Sequence, residues 1–403
     1  MLLNLLTIVV FLLMFSILVA AHELGHYLLA RKFNMGVSEF SIGFGPILKT
    51  LKRKSYRLDD GEEGETSFNI RPIPLGGFVK ILGMEPQEDG SEVNVNGGFY
   101  TKSPWARIVV LLAGPVFSIV FGWIILVGLY TTMGIQKPIN RIQAINIGET
   151  ADKAGMKPGD YIVSINNKPI TDSIDAIMAI RHGKTGPVDL VLERDGTKIA
   201  KTVTPAMSKD EIEDIDEKGE PTGKKGHFPV LGIRFDSDFV RVPLSEAFVE
   251  ATLAPYQAGK GMLEKIFIKP NQILEESTGV IGMAVSTRLA LAGGIANVIF
   301  LSGLISISLG FMNLLPIGML DGGQIFIAFI EALRGGRRLS LRSQVQFLYA
   351  GMALILFFFV AVTFKDLKRF VLPGKENLLQ NTNTNKDSKT PDANTPAANA
   401  PVK

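Results

Sequence analysis

The chain of 403 residues contains no cysteine, which excludes a disulfide framework and leaves any metal site to histidine and carboxylate ligands. Charge is scarce as well. Asp, Glu, Lys and Arg make up 20% of the residues, and the net charge of +3 is too small to point to nucleic acid as a partner. Histidine is rarer still: of four, His182 and His227 stand among Gly, Lys and Pro and read as solvated loop residues. No Lys or Arg occurs among the first residues, and the apolar run there outlasts a typical signal core, which argues against a secretory signal cut near Ala20 or Ala21. What the chain has is a positive mean hydropathy, +0.24, with only a fifth of its residues charged, the composition of a membrane protein with a soluble insert.

The two remaining histidines lie in the first apolar run, Leu2 to Ala30, which ends in His22-Glu23-Leu24-Gly25-His26. An ionisable side chain at membrane depth costs at least roughly 2.5 kcal/mol, so this cluster demands a compensating partner. A metal ion fits. Residues four apart share one helix face, so His22 and His26 present two imidazole nitrogens to one Zn2+. Glu23, rotated by about 100°, misses the ion but reaches a water beside it. This is the geometry of a metal-activated hydrolase.

Hydrophobic windows long enough to cross a bilayer occur at Leu2 to Ala30, Ile108 to Tyr130, Leu291 to Leu315 and Val345 to Phe364. The expected fold is therefore an α-helical polytopic membrane protein of about four transmembrane helices with an inserted α+β domain. Basic residues cluster after the first window (Arg31, Lys32, Lys49, Lys52 to Lys54, Arg57) and before the last (Arg334, Arg337, Arg338, Arg342). The positive-inside rule places both loops in the cytoplasm, and the Met133 to Gly282 insert and both termini outside. Lys365, Lys368 and Arg369 argue weakly for the opposite orientation of the C-terminus.

The first loop carries an acidic patch from Asp59 to Glu65, then a β-rich stretch, Ser67 to Leu82, broken by Pro72, Pro74 and the pair Gly76-Gly77. It reads as a hairpin or bent ribbon with part of it on an edge. Such an edge pairs with extended peptide by strand addition, which makes Gly76, Gly77, Phe78 and Val79 candidate substrate-binding residues; a solvated hairpin without function fits equally. Ala113-Gly114-Pro115 in the second window marks close packing on the first helix or a simple kink. In the insert, short β-branched runs at Ile142 to Ile145, Tyr161 to Asn166 and Val188 to Gly196 frame a helical Ser173 to Arg181, followed by a charged linker, Ser208 to Lys225, and one more strand, Phe228 to Phe235. Leu244 to Ile266 reads as an amphipathic helix at the membrane surface, bent or split at Pro255. The third window runs into Asn313-Leu-Leu-Pro-Ile-Gly-Met-Leu-Asp321-Gly-Gly, where broken backbone at membrane depth must be buried in protein or line a wet cavity. Alone, Asp321 reads as a helix cap; beside His22 and His26 it completes a two-histidine, one-carboxylate set that leaves one position for water.

The order of elements in the insert, with Ala154-Gly-Met-Lys-Pro-Gly-Asp160, resembles a bacterial PDZ domain, which binds peptide tails by strand addition or, with an occluded groove, acts as a size filter. His22-Glu23-x-x-His26, this insert, and Asn313-x-x-Pro316 leading to Leu320-Asp321-Gly322 together resemble the site-2 protease family of intramembrane zinc metalloproteases, over roughly Leu2 to Phe370. The resemblance implies a multi-pass protein of the bacterial inner membrane that cuts single-span membrane proteins, anti-sigma factors or signal-peptide remnants, within the bilayer. It implies zinc on His22, His26 and Asp321, Glu23 as base and Asn313 in contact with substrate. Ser118, where relatives often have Asn, Gly318, where they have Pro, and Thr278 to Gly282, where they have Gly-Pro-Ile-Gly, depart from the family pattern and bear on how substrate is clamped. The insert also reads as one PDZ-like domain and a remnant, where the relative type it most resembles carries two in tandem. The expected organisation is a first membrane half with the cytoplasmic ribbon (1–131), an extracytoplasmic PDZ-like insert (132–240), an interfacial helix and linker (241–290), a second membrane half (291–370) and a disordered tail (371–403). The alternatives are a catalytically silent PDZ-bearing scaffold that binds extracytoplasmic tails, for which an intact Glu23 has no use, and an ion transporter, which leaves the His-Glu-x-x-His string unexplained.

Overall fold

The computed structural model describes residues 2–58, 61–84, 95–183, 186–217, 219, 221–269, 273, 274, 277 and 279–367. Asp59 and Asp60 of the acidic patch, Lys368, Arg369 and the 371–403 tail lie outside the described residues. Two compact units form, one of Met1–Ile135 with Phe239–Phe370, the other of Gln136–Asp238.

In the first unit, α1 (Leu2–Lys32) is uninterrupted, with Arg31 and Lys32 in its last turn, where positive charge suits the helix C-terminus. Asn34, at a φ of 55°, ends it. The strands β1 (Val37–Phe44), β2 (Lys49–Arg57), β3 (Glu63–Ile70) and β4 (Ile73–Ile81) follow. Their order in the sheet is β2-β3-β1-β4, with β1 parallel to β3 and antiparallel to β4. The Ser67 to Leu82 stretch is therefore not a hairpin: β1 lies between its two halves. Alternation of side chains marks the strands, but their partners are chosen by packing, and β1 brings Val37 and Phe40 into the core shared with Tyr27, Met35 and Ile81. As a result β4 is an edge strand, a place that tolerates Pro74.

The next helix, α2 (Pro104–Met133), starts where Ser103 accepts a hydrogen bond from the Ala106 N–H and Pro104 occupies the first turn, and it ends at Gly134, at a φ of 102°. After the second unit come α5 (Leu244–Phe267), α6 (Val280–Ala292), α7 (Ile295–Asn313), α8 (Asp321–Leu333) and α9 (Leu341–Asp366). Among the described residues four helices are long and apolar enough to cross a membrane, Leu5–Lys32, Pro104–Met133, Ile295–Asn313 and Leu341–Asp366, in line with the four windows. The third window differs in detail: Gly293 and Gly294 separate α6 from α7, and Met283 of α6 packs on Phe11, Met14 and Leu18 of α1. Pro255 does not split α5, which stays continuous, with Ala247 and Ala251 fully buried.

The second unit is a sheet of order β14-β5-β6-β8-β9, formed by β5 (Ile135–Ile145), β6 (Tyr161–Ile165), β8 (Val188–Arg194), β9 (Thr197–Val203) and β14 (Ile233–Val240), with the short β7 (Lys168–Pro169) beside β6. The helices α3 (Thr150–Lys153) and α4 (Ser173–Arg181) accompany it, and Ile142, Ile162, Ile165, Leu190 and Leu192 are part of its buried apolar core. Two expectations are corrected here. The Ser208 to Lys225 linker contains a hairpin of β11 (Ile212–Ile215) and β12 (Pro221–Gly226). The Phe228 to Phe235 strand is broken at Leu231-Gly232 into β13 (Pro229–Val230), which pairs with β10 (Ala206–Met207), and β14, because Gly232 adopts a φ of 75°.

Candidate metal centre

Two elements far apart in sequence converge. One turn of α1 carries His22 and His26, and α8 begins at Asp321. His22 Nε2 lies 3.1 Å from one Asp321 oxygen, His26 Nε2 lies 3.4 Å from the other, and the two nitrogens are 3.3 Å apart. Neutral donors and a carboxylate at such spacing suit a cation. With bonds of about 2.0 to 2.1 Å, the edge of a zinc tetrahedron is about 3.4 Å. The donor set and its spacing therefore fit zinc, with one corner left for water or substrate.

The remaining ring nitrogens are both engaged. His26 Nδ1 lies 2.9 Å from the Val110 carbonyl, which can only accept; the proton is therefore on Nδ1 and Nε2 offers its lone pair. His22 Nδ1 lies 2.9 Å from Ser118 Oγ, and the backbone carbonyl of Ser118 accepts from Ser306 Oγ at 2.8 Å. Ser118, noted in the sequence only as a departure, thus orients His22. Its sole signal was a small polar residue inside an apolar helix. Ser306 carries the same signal in α7, whereas the role of the Val110 carbonyl carries none.

α2 reaches the imidazoles because Gly114 has no side chain: a Cβ there would lie 2.2 Å from His26 Nε2 and 2.8 Å from His22 Nε2. Ala113-Gly114-Pro115 is therefore a close-packing device against α1. At the other side, Gly318 passes under α9, where a Cβ would lie 2.3 Å from the Phe347 carbonyl oxygen. A proline at this position would collide with α9, which accounts for the departure. Asp321 sits in the first turn of α8, where unpaired N–H groups favour a carboxylate. The far end of α8 is tied to α2 by a buried ion pair, Arg107 to Glu331 at 2.7 Å, with the Glu331 side chain 0% exposed. Sequence reading singled out neither residue.

A cavity of about 290 Å3 opens on the three ligand candidates and is lined also by Glu23, Phe78, Val79, Asn313 and Met319. Glu23 lies off the ligand set, and its carboxylate accepts from the Val79 backbone N–H. Of the candidate substrate-binding residues, Phe78, Val79 and Asn313 reach this cavity. Gly76 and Gly77 lie next to them on β4 but do not line it; Gly77 faces Val19 and Glu23, and Gly76 faces Phe44.

The sequence profile described as Peptidase family M50 matches residues 10–358. Among similar proteins are the Regulator of sigma-W protease RasP of Bacillus subtilis, 26% identical over 445 residues that span 91% of this chain and 99% of that protein. The Metalloprotease MmpA of Caulobacter vibrioides is 30% identical over 392 residues, 88% of this chain and 94% of that protein. The Zinc metalloprotease RasP of Bacillus licheniformis is 26% identical over 443 residues, 91% of this chain and all of that protein.

Proposed function

The chain belongs to peptidase family M50, the site-2 protease family of zinc metalloproteases, and from that premise we propose that it hydrolyses peptide bonds inside the transmembrane segments of single-span membrane proteins. The observation that carries the proposal is the convergence of His22, His26 and Asp321 beside Glu23, on and against a helix apolar enough to cross a bilayer. Zinc, held by His22, His26 and Asp321, would supply Lewis acidity toward a peptide carbonyl and toward water. Glu23, beside that set, is placed to take a proton from the attacking water and to return it to the leaving amine.

A helical substrate hides its carbonyls, so it must unwind before attack, and each backbone group freed in hydrocarbon costs several kcal/mol unless paired again. The edge strand β4 at Phe78 and Val79, whose Val79 N–H leaves Glu23 when substrate displaces it, supplies those partners together with the Asn313 amide in the same cavity. Gly, Pro or Asn near the cut should accordingly speed cleavage. The substrates that fit this reading are anti-sigma factors or signal-peptide remnants, in a bacterial cytoplasmic membrane whose lipid surrounds the four long helices. We take the second unit as an extracytoplasmic PDZ-like module for peptide segments, and both termini as extracytoplasmic, from the distribution of Lys and Arg.

The test uses purified protein in detergent with a model single-span peptide. Cleavage within the span should stop with a zinc chelator, return on adding zinc, and be absent in Glu23→Gln with zinc content unchanged. Turnover by Glu23→Gln at the wild-type rate refutes the assignment of the base.

A further inference from the structure

Leading away from Asp321, α8 turns Phe326, Phe329 and Leu333 outward along one helix face, and Leu333 is 71% exposed. Trp105, in the first turn of α2, is 61% exposed and meets Phe329 edge to face, with ring centroids 6.5 Å apart. This apolar stripe ends at the turn between α8 and α9, which carries Arg334, Arg337, Arg338 and Arg342. Between Asp321 and Asp366 the one acid is Glu331, and it is buried and paired with Arg107. Arg338 is engaged as well: its guanidinium lies 4.6 Å from the centre of the Tyr100 ring and donates to the Tyr100 carbonyl. Arg334, Arg337 and Arg342 are exposed and pair with no carboxylate among the described residues.

The turn holds these three arginines on ordered backbone. The Gly336 N–H donates to the Glu331 carbonyl at 2.8 Å, the Leu339 N–H donates to the Glu331 carboxylate at 2.9 Å, and Gln344 Nε2 donates to the Leu339 carbonyl at 2.9 Å. Gly335 and Gly336, at φ of 71° and 85°, permit so tight a fold. A cationic cluster already fixed in this way loses little freedom when an anion binds.

Guanidinium groups take phosphate oxygens in paired hydrogen bonds. An apolar stripe that starts at those groups and runs along a helix among membrane-crossing helices suits acyl chains, and a tryptophan near such helix ends sits at the level of lipid headgroups. A soluble acidic partner would match the arginines alone. We propose that this surface binds an anionic phospholipid, with its phosphate on Arg334, Arg337 and Arg342 and an acyl chain along Leu333, Phe329 and Trp105. The lipid fixes the end of α8 opposite Asp321 and adds to the hold that the Arg107–Glu331 pair has on that helix.

The test uses the full-length protein in bilayer nanodiscs. Trp123→Phe leaves Trp105 as the single tryptophan. Its fluorescence is quenched by brominated phosphatidylglycerol or brominated phosphatidylcholine, each supplied at the same small fraction of a phosphatidylcholine bilayer. An arginine near an anionic headgroup contributes roughly fivefold in binding, so at least about tenfold enrichment of phosphatidylglycerol beside Trp105 is expected in low salt. The triple variant Arg334→Gln, Arg337→Gln, Arg342→Gln should lose that enrichment. Replacing three exposed lysines of the second unit, Lys198→Gln, Lys224→Gln, Lys225→Gln, should leave it intact. Phosphatidylglycerol should also raise the thermal unfolding temperature of the Trp123→Phe protein but not that of the triple arginine variant; any other pattern overturns the hold on α8. Equal quenching by the two lipids leaves the arginines to a soluble acidic partner and overturns the proposal. Enrichment retained in the arginine variant, or lost in the lysine variant, overturns the assignment to these residues. Enrichment abolished by millimolar glycerol 3-phosphate assigns the arginines to a free phosphate and overturns it too.

Discussion

Replacing Gly114 by alanine should disable the metal centre while leaving the fold in place. The added Cβ would stand 2.2 Å from His26 Nε2 and 2.8 Å from His22 Nε2. An unbonded contact of this kind relaxes to about 3.5 Å, so one ligand nitrogen or the α2 backbone has to retreat by more than about 1 Å. Neither can retreat without loss. His26 is anchored by the Val110 carbonyl of the same helix, and the Ala113 backbone already presses on Gly25 of α1, so moving α2 moves the anchor as well. Displacement of a catalytic group by about 1 Å lowers rate by roughly a hundredfold, and we expect Gly114→Ala to lose at least that much cleavage and most of its bound zinc. The internal control is Gly128→Ala on the same helix, where nothing lies within 4 Å of the added carbon; it should keep activity and gain roughly 0.5 to 1 kcal/mol of stability. Zinc content by elemental analysis, cleavage of a single-span peptide and thermal unfolding are measured on the same detergent preparations. Full zinc occupancy and wild-type cleavage in Gly114→Ala, with Gly128→Ala behaving the same, would show that α2 does not approach the imidazoles as described.

Asp321→Ala should lower zinc content together with activity, and retention of one zinc per chain would move the third ligand elsewhere. Glu331→Gln strands a buried guanidinium, since Arg107 and Glu331 side chains are 3% and 0% exposed, and should destabilise the protein by about 3 to 5 kcal/mol. The double variant Arg107→Met with Glu331→Gln should recover most of that loss in thermal unfolding; no recovery would argue against the pair as the cause. In the second unit, burial pushes the Asp160 carboxyl upward, but hydrogen bonds from Arg194 and the Lys157 N–H outweigh it and hold the carboxyl below its ordinary range. Because the folded value is depressed, this contribution to stability is complete above an unfolded value of about 4 and disappears as pH falls through the folded one. Amide exchange at Ile162 and Leu192 should therefore accelerate below about pH 4 in the wild type. Asp160→Asn should lack that acid-dependent part, and an identical pH profile would rule out Asp160 as its source.

The chemistry was legible in the sequence because its carriers are rare. In a chain with four histidines and no cysteine, two histidines four apart in an apolar run, with Asp321 in broken backbone after another, leave few ways to pair buried charge. The four long helices were legible for a related reason, since a bilayer sets both their length and their composition. The sequence alone therefore determined the membrane helices and singled out His22, His26 and Asp321, with Glu23 beside them, as the candidate site. Strand pairing was not legible, because alternation in Val37–Phe44, Glu63–Ile70 and Ile73–Ile81 is satisfied by several partners; only packing of β1 into the core left β4 as the edge that faces Glu23. Nor did any local pattern announce that Ser118 would hold His22, that the Val110 carbonyl would fix the proton on His26, or that Arg107 would meet Glu331. Those contacts join residues some 80 to more than 200 positions apart, as between His26 and Val110 or Arg107 and Glu331. Sequence-local physics sets which faces and charges must be satisfied, whereas the partner that satisfies each is fixed only when separate helices pack, and there the tertiary structure alone decided.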